Sequence, residues 1–282
     1  MMRILGVSLD NLSMGEILGQ IRDFVQEGRP RTIFTPNVDF LMLARHDPEF
    51  LQILNAADLS ICDSVPLLWA SRLLGTPLKA RVTGSDLFPA GCELAAREGY
   101  KVYFLGAAPG VAARAAQILT DRYPRLRVVG VHAPPMGFNG NQLESRDIME
   151  AIRNACPDIL FVGLGTPKQE RWIHRYRDEL GVPVSIGVGA SFDFVAGVLR
   201  RAPRWVQRIG LEWLFRLCLE PRRLYRRYLL RDAPFVAIVL QEWIRNRLAG
   251  GDRGARAMAI HGRQLRAAQQ GKFSRGKDAF RN

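Results

Sequence analysis

Short apolar runs recur along the first 190 residues, at Thr32–Thr35, Leu59–Cys62, Lys101–Leu105, Leu126–Val131, Ile159–Gly163 and Val184–Val188. All but the last are followed by a longer stretch with helical patterning. That alternation limits the fold more than any other feature. Strands that are apolar on both faces must be covered on both faces, and helices at βαβ spacing cover them. The chain is therefore expected to be α/β, a Rossmann-like, mostly parallel sheet with helices on both faces. Ile4 to Leu9 reads as a first strand, and Ser13 with Glu16 reads as the capping box of a first helix. Polar residues gather just after several strands, where open α/β sheets bind ligands. They are Asn37, Asp63, Thr166 with Gln169, and Asp193.

The pattern changes after Gly197. Ten arginines lie between Arg200 and Arg231, with Trp205, Trp213, Phe215, Tyr225 and Tyr228 among them. Trp205, Ile209, Trp213 and Leu217 recur every four residues, which predicts a helix from Pro203 that Pro221 ends. Arg222–Leu230 and Phe235–Arg245 can form two more. From Ala249 onward Gly, Arg, Gln and Ala dominate, and such a segment can bury little. The expected organisation is an α/β catalytic core over 1–196, an arginine-rich helical appendage over 197–248, and a mobile basic tail over 249–282.

Charge divides the chain at the same place. Residues 1–189 carry 20 Lys/Arg against 20 Asp/Glu, so the net +13 resides wholly in the last third. A basic segment on a neutral core implies an anionic partner. The interleaved Trp, Leu and Phe favour an anionic membrane surface over nucleic acid. No window approaches the roughly 18 apolar residues that span a bilayer. Met1-Met2-Arg3 does not open a secretory signal. Contact at one membrane face is the expectation.

Metal and redox chemistry find little support. Cys62, Cys92, Cys156 and Cys218 lie in apolar runs without ligand spacing and are expected as buried, reduced thiols. His46, His132, His174 and His261 are scattered, and HExxH, DxD and GxSxG patterns are absent. Gly106 to Gly110 sits at a strand-to-helix junction where backbone could approach a phosphate. It matches neither a dinucleotide fingerprint nor a P-loop, and a tight turn explains it equally well. Gly163, Gly165, Thr166, Lys168 and Gln169 crowd another junction and could hold a nucleotide or sugar. Thr166 as N-cap, with Pro167 at N1 and Gln169 at N3, would explain the same residues. Asp63 could take a proton from an attacking hydroxyl or cap a helix. Thr35 and Asn37 could bind substrate or bond locally around Pro36. Asp86 reads as a first-turn helix residue. Asp193, between two phenylalanines, fits a structural or a chemical role.

Taken together, five stretches resemble the WecG/TagA/CpsF glycosyltransferases of bacterial cell-surface polymer synthesis. They are Thr35-Pro36-Asn37, Thr83-Gly84-Ser85-Asp86, Val162 through Glu170, Gly189 through Phe194, and Arg201-Ala202-Pro203 through Trp213 to Arg223. The resemblance spans about residues 4–245. It implies an inverting, metal-independent transfer without a cofactor. The sugar, N-acetylmannosamine-like or another hexose, would pass from a UDP-sugar donor to a lipid-linked saccharide acceptor, a polyprenyl diphosphate, at the cytoplasmic face of the inner membrane. It carries the base to Asp63 and substrate binding to Thr35, Asn37 and Gln169. Diphosphate-closing arginines match Arg201, Arg204, Arg222, Arg223 and Arg226. Nucleotide or sugar contacts are expected at Gly106, Gly110, Gly163, Gly165, Thr166, Lys168 and Asp193. Many members have Asp-Gly where this chain has Asp63-Ser64, a change that bears on acceptor fit. The resemblance allows a homo-oligomer without requiring one. Two other readings are a non-catalytic UDP-sugar-binding component of a membrane complex and a basic nucleic-acid-binding protein.

Overall fold

A computed structural model describes residues 2–135, 137, 138, 140, 142–245, 247 and 248, without the side chains of 142–144, 204, 208 and 223. The tail expected over 249–282 lies outside the described residues. Two compact units are present, Met1–Phe235 and Val236–Asn282. In the second, residues 236–245 are helical.

The first unit begins with β1 (Met2–Ile4) and β2 (Val7–Leu9), followed by α1 (Met14–Glu27), β3 (Arg31–Phe34), α2 (Val38–His46), α3 (Pro48–Asn55), β4 (Leu59–Ser60) and α4 (Val65–Leu73). Next come α5 (Gly84–Glu98), β5 (Lys101–Gly106), α6 (Val111–Arg122), β6 (Arg127–His132), α7 (Gln142–Ala155), β7 (Ile159–Gly163), α8 (Lys168–Leu180), β8 (Val184–Gly187) and α9 (Ser191–Val195). The basic segment forms α10 (Arg204–Arg208), α11 (Glu212–Leu219), α12 (Pro221–Tyr225) and a π-helical segment, Arg226–Asp232.

Six strands form one parallel sheet in the order β4-β3-β8-β7-β5-β6. Helices cover both faces, as the alternation predicts, and the basic helices extend the fold. On one face Ile33, Phe104, Ile159, Phe161 and Ile186 join Ile17, Ile21, Phe88, Leu119 and Phe192 from α1, α5, α6 and α9. Leu160 and Val162, alternate residues of β7, are equally buried on the opposite face. Phe88 stands edge-on to Phe104, Phe161 and Phe192 with ring centroids 4.9–5.1 Å apart, a favourable arrangement for aromatic quadrupoles. The order brings the carboxyl ends of β4, β3, β8 and β7 side by side, and the candidate residues follow those ends.

Four local expectations are corrected. Ile4–Leu9 is no single strand: β1 and β2 pair antiparallel, Ile4 opposite Val7, around Leu5 (φ 48°) and Gly6 (φ 85°). Two residues at positive φ make a tight hairpin turn. The helix expected from Pro203 to Pro221 breaks between α10 and α11. Gly210 there has φ 77°, and a Cβ would lie 2.8 Å from Val65 Cγ1, so close packing on α4 overrides the four-residue period. Thr166 does not cap α8; its hydroxyl donates to Glu170 Oε1 at 3.4 Å instead. Cys62 and Cys92 are buried, but Cys156 and Cys218 are exposed, so an apolar neighbourhood in sequence did not guarantee burial.

Candidate active site

Asp63 sits just past β4, between two neighbouring loops. Its amide donates to Pro36 O at 2.9 Å, and Val82 N donates to Cys62 O at 2.9 Å. Gly84 N, at the start of α5, donates to Asp63 Oδ2 at 3.5 Å. The α4 cap position belongs to Ser64, so Asp63 does not serve as the helix cap. Burial pushes the Asp63 carboxyl up to about 8 against the pull of Arg81, while Glu212 and Asp86 push it further up. Charge is disfavoured where solvent is scarce. Asp63 is thus a base of near-neutral strength, able to hold a proton or release it under ordinary conditions.

Thr35 lies at the end of β3, buried, with its hydroxyl donating to Gly187 O at 3.4 Å. A Cβ on Gly84 would come within 3.3 Å of Thr35 Oγ1 and 3.2 Å of Val188 O. Glycine at 84 therefore lets α5 start against both strand ends, which carries Thr35 close to the loop holding Asp63. Asn37 caps α2, accepting from Phe40 N at 3.4 Å. The local-bonding expectation for Asn37 is met, and its amide NH2 group is not consumed by that contact.

Gln169, in the first turn of α8, is buried with its amide oriented at both ends. Oε1 accepts from Gly189 N at 3.1 Å and Nε2 donates to Glu170 Oε1 at 2.6 Å. Glu170 is fully buried. Burial drives its carboxyl up to about 7, against the hydrogen bonds from Gln169 and Thr166. Among the described residues Glu170 Oε2 has no hydrogen-bond partner, so a proton on that oxygen relieves the cost of a buried charge.

The remaining junction residues divide between packing and open backbone. Gly106 and Gly163 are partners on adjacent strands, and a Cβ on Gly106 would lie 2.4 Å from Gly163 O. A Cβ on Gly163 would meet Phe192 at 2.6 Å. Gly110 and Gly165 have positive φ with open space where a Cβ would stand. Lys168 Nζ donates to Phe138 O. Asp193 is half-buried in α9, and its carbonyl accepts from Val198 N and Leu199 N.

The basic segment folds back over these strand ends. Arg201 grips Asp86 through Nη1 at 2.6 Å and Nη2 at 3.0 Å, and Nη2 also reaches Thr83 Oγ1 at 3.2 Å. Burial pushes Asp86 up, but the hydrogen bonds from Arg201 and Thr83 outweigh it and hold the carboxylate below its ordinary value. Glu212, from the first turn of α11, accepts from Arg81 at 3.3 Å and from Arg201 Nε at 3.5 Å. Further on, Arg227 reaches Asp39 Oδ2 at 3.1 Å and Asn37 Oδ1 at 3.5 Å, and Arg231 pairs with Asp39. Arg222 and Arg226 are exposed, and Arg226 Nε donates to Tyr225 OH at 2.8 Å. The side chains of Arg204 and Arg223 lie outside those described. Among the described residues no group of three or more His, Cys, Asp or Glu is placed to hold a metal ion, and no helix is long and apolar enough to cross a membrane.

Comparison with known proteins gives the family. The sequence profile of the WecG/TagA/CpsF family of glycosyl transferases matches residues 2–249. The chain belongs to the WecG/TagA/CpsF glycosyltransferases. A protein of Bacillus spizizenii named N-acetylglucosaminyldiphosphoundecaprenol N-acetyl-beta-D-mannosaminyltransferase is 32% identical over 218 residues, covering 77% of this chain and 82% of the relative. Proteins of the same name from Bacillus subtilis (29% identical, 78% of this chain and 83% of the relative) and Staphylococcus aureus (31%, 79% and 86%) are similarly related.

In this WecG/TagA/CpsF protein the structure gathers residues that sequence reading did not place in the site. Arg81 and Glu212 flank Asp63 electrostatically, Glu170 orients Gln169, and Asp39 receives two arginines. Glu170 stood inside the glycine-rich junction stretch already singled out, but its burial beside Gln169 shows only in the fold. Asp39 and Glu212 carried no signal, because their partners lie far away in sequence.

Proposed function

We propose that this glycosyltransferase moves an N-acetylmannosamine-like sugar, or another hexose, from a UDP-sugar to a hydroxyl of a polyprenyl-diphosphate-linked saccharide, with inversion and with Asp63 as general base. The observation that carries the reading is the Asp63 carboxyl at the joined strand ends, raised to about 8, accepting from the amide of Gly84, which abuts Thr35, with the Asp63 amide bonded to Pro36 next to Asn37. The names of the relatives supply the substrate class. The acceptor oxygen attacks the anomeric carbon as the bond from that carbon to the UDP oxygen breaks. The hydroxyl proton passes to Asp63, and UDP departs on the opposite side. One base placed opposite one leaving group gives a single displacement and therefore inversion.

Each neighbour has a matching task. Thr35, Asn37 and the oriented Gln169 amide hold sugar hydroxyl and amide groups. Gly165, Thr166 and Lys168 line the strand-to-helix junction next to them. Positive charge must balance the departing diphosphate, and Arg81, Arg201, Arg222 and Arg226 are the guanidiniums proposed to supply it. The acceptor stays in the bilayer surface while the enzyme binds from the cytoplasmic side. Trp205 (66% exposed), Ile209, Leu219, Leu229 and Leu230 are exposed and set among arginines in sequence, a chemistry suited to anionic lipid.

Asp63→Asn keeps the shape and removes the base. Turnover of a UDP-sugar with a short-chain polyprenyl-diphosphate-N-acetylglucosamine acceptor is expected to fall about 10²- to 10⁴-fold, with UDP binding retained. A near-normal kcat in the variant would refute the assignment.

A further inference from the structure

Asp39 lies one residue into the first turn of α2, two positions after Asn37, and its side chain is 4% exposed. A carboxylate so deeply buried needs cationic partners, and removing them strongly disfavours the arrangement. Both partners come from one element at the far end of the unit. Arg227 Nε lies 3.1 Å from Asp39 Oδ2, and Arg231 pairs with Oδ1. The π-helical winding over Arg226–Asp232 widens the turn. It sets Arg227, Arg231 and Asp232 on the face toward α2, with Arg227 Nε 4.0 Å from Asp232 Oδ2.

The second observation joins this cluster to the substrate side. Arg227 Nη2 also reaches Asn37 Oδ1 at 3.5 Å, the same oxygen that accepts from Phe40 N. Two donors on one oxygen fix which end of the Asn37 amide faces the helix and which faces outward. Arg227 thus adds a second donor that holds the Asn37 amide in the orientation given by the cap bond, and Asp39 lies against that same arginine.

We propose that Asp39 is a positioning residue. It captures Arg227 and Arg231 of the basic segment, and through Arg227 it sets the Asn37 amide for the sugar. This inference rests on the substrate role of Asn37 in the proposed function. It separates two duties among the arginines: Arg227 and Arg231 anchor the segment, leaving the exposed Arg222 and Arg226 to meet anionic groups. It also makes segment docking a condition of substrate alignment rather than a source of affinity alone.

A double-mutant cycle in the full chain tests this. Asp39→Asn, Arg227→Met and their combination are compared for kcat, for KM of donor and acceptor, for UDP affinity by calorimetry and for melting temperature. The rate at which trypsin cuts the arginine-rich segment is read in parallel. Each single variant is expected to lower kcat/KM about 10- to 100-fold, the size of effect seen when an aligned group is displaced. The double variant should be no worse than the poorer single variant. Trypsin should cut all three faster, and Asp39→Glu should restore part of the activity. Multiplicative losses, unchanged kcat/KM, or losses that merely follow a lowered melting temperature would overturn the inference. A wild-type chain that transfers no sugar would instead overturn the proposed function and remove the premise, an outcome distinguished by needing no variant.

Discussion

Asp63 gathers the residue-scale consequences. Its folded carboxyl stands near 8 because of burial, against an ordinary value of 3.8. A raised acid binds its proton more tightly in the folded state, so its contribution to stability is complete below about pH 4 and is lost as pH rises through about 8. Urea unfolding at about pH 5 and pH 9 should show wild type losing ground to Asp63→Asn, which does not titrate. Parallel stability curves would contradict the buried-base account. The rate consequence has the opposite sign: kcat/KM should climb with pH until the base is ionised, with an apparent value near 8. Gln169 gives a second residue-scale prediction. Glu170→Gln keeps an oxygen for the Gln169 Nε2 proton, whereas Glu170→Leu removes it. The leucine variant should raise the donor KM about tenfold, the glutamine variant much less. Equal KM values would show that Glu170 does not orient the amide.

Elements determine which of these residues meet. α11 carries Glu212 to Arg81 and Arg201, and its carboxylate adds to the upward pressure on Asp63. Removing that negative charge favours the ionised base. Glu212→Gln should therefore move the rising limb of the pH–rate profile toward lower pH, and an unmoved limb would show that α11 does not tune Asp63. The sheet yields a stability prediction. A Cβ on Gly106 would stand 2.4 Å from the Gly163 carbonyl oxygen at φ 121°, so β5 and β7 would have to part. Gly106→Ala should cost about 1–3 kcal/mol, measured by denaturant unfolding. The elements of the sheet were legible because apolar runs between turn residues report it directly. The break at Gly210 was not, because it depends on Val65 about 145 residues away, a contact that no local period encodes. Asn37, Asp63 and Gln169 could be nominated from their places after strands. Asp39 could not, because its meaning comes from Arg227 and Arg231 across the fold.

At the scale of the whole molecule, the charge division seen in sequence becomes an α/β sheet whose site is bordered by basic helices. The proposed attachment to membrane requires those helices to present both arginine and apolar surface. Trp205 and Leu230, each 66% exposed, are the test positions. Binding to vesicles containing anionic lipid should weaken with added salt and weaken again in Trp205→Ser with Leu230→Ser, with turnover on a water-soluble acceptor preserved. Undiminished sedimentation of the double variant would place the membrane contact elsewhere. The central claim is base-assisted sugar transfer at the joined strand ends. Its most direct measurement is turnover of wild type and Asp63→Asn across a panel of UDP-sugars, with a polyprenyl-diphosphate-N-acetylglucosamine acceptor, reading UDP release and glycolipid mass together. The account predicts one donor that yields a glycolipid heavier by one sugar residue, and near-loss of that product in Asp63→Asn. Equal product from both proteins, or no product and no UDP release with any donor, would contradict it.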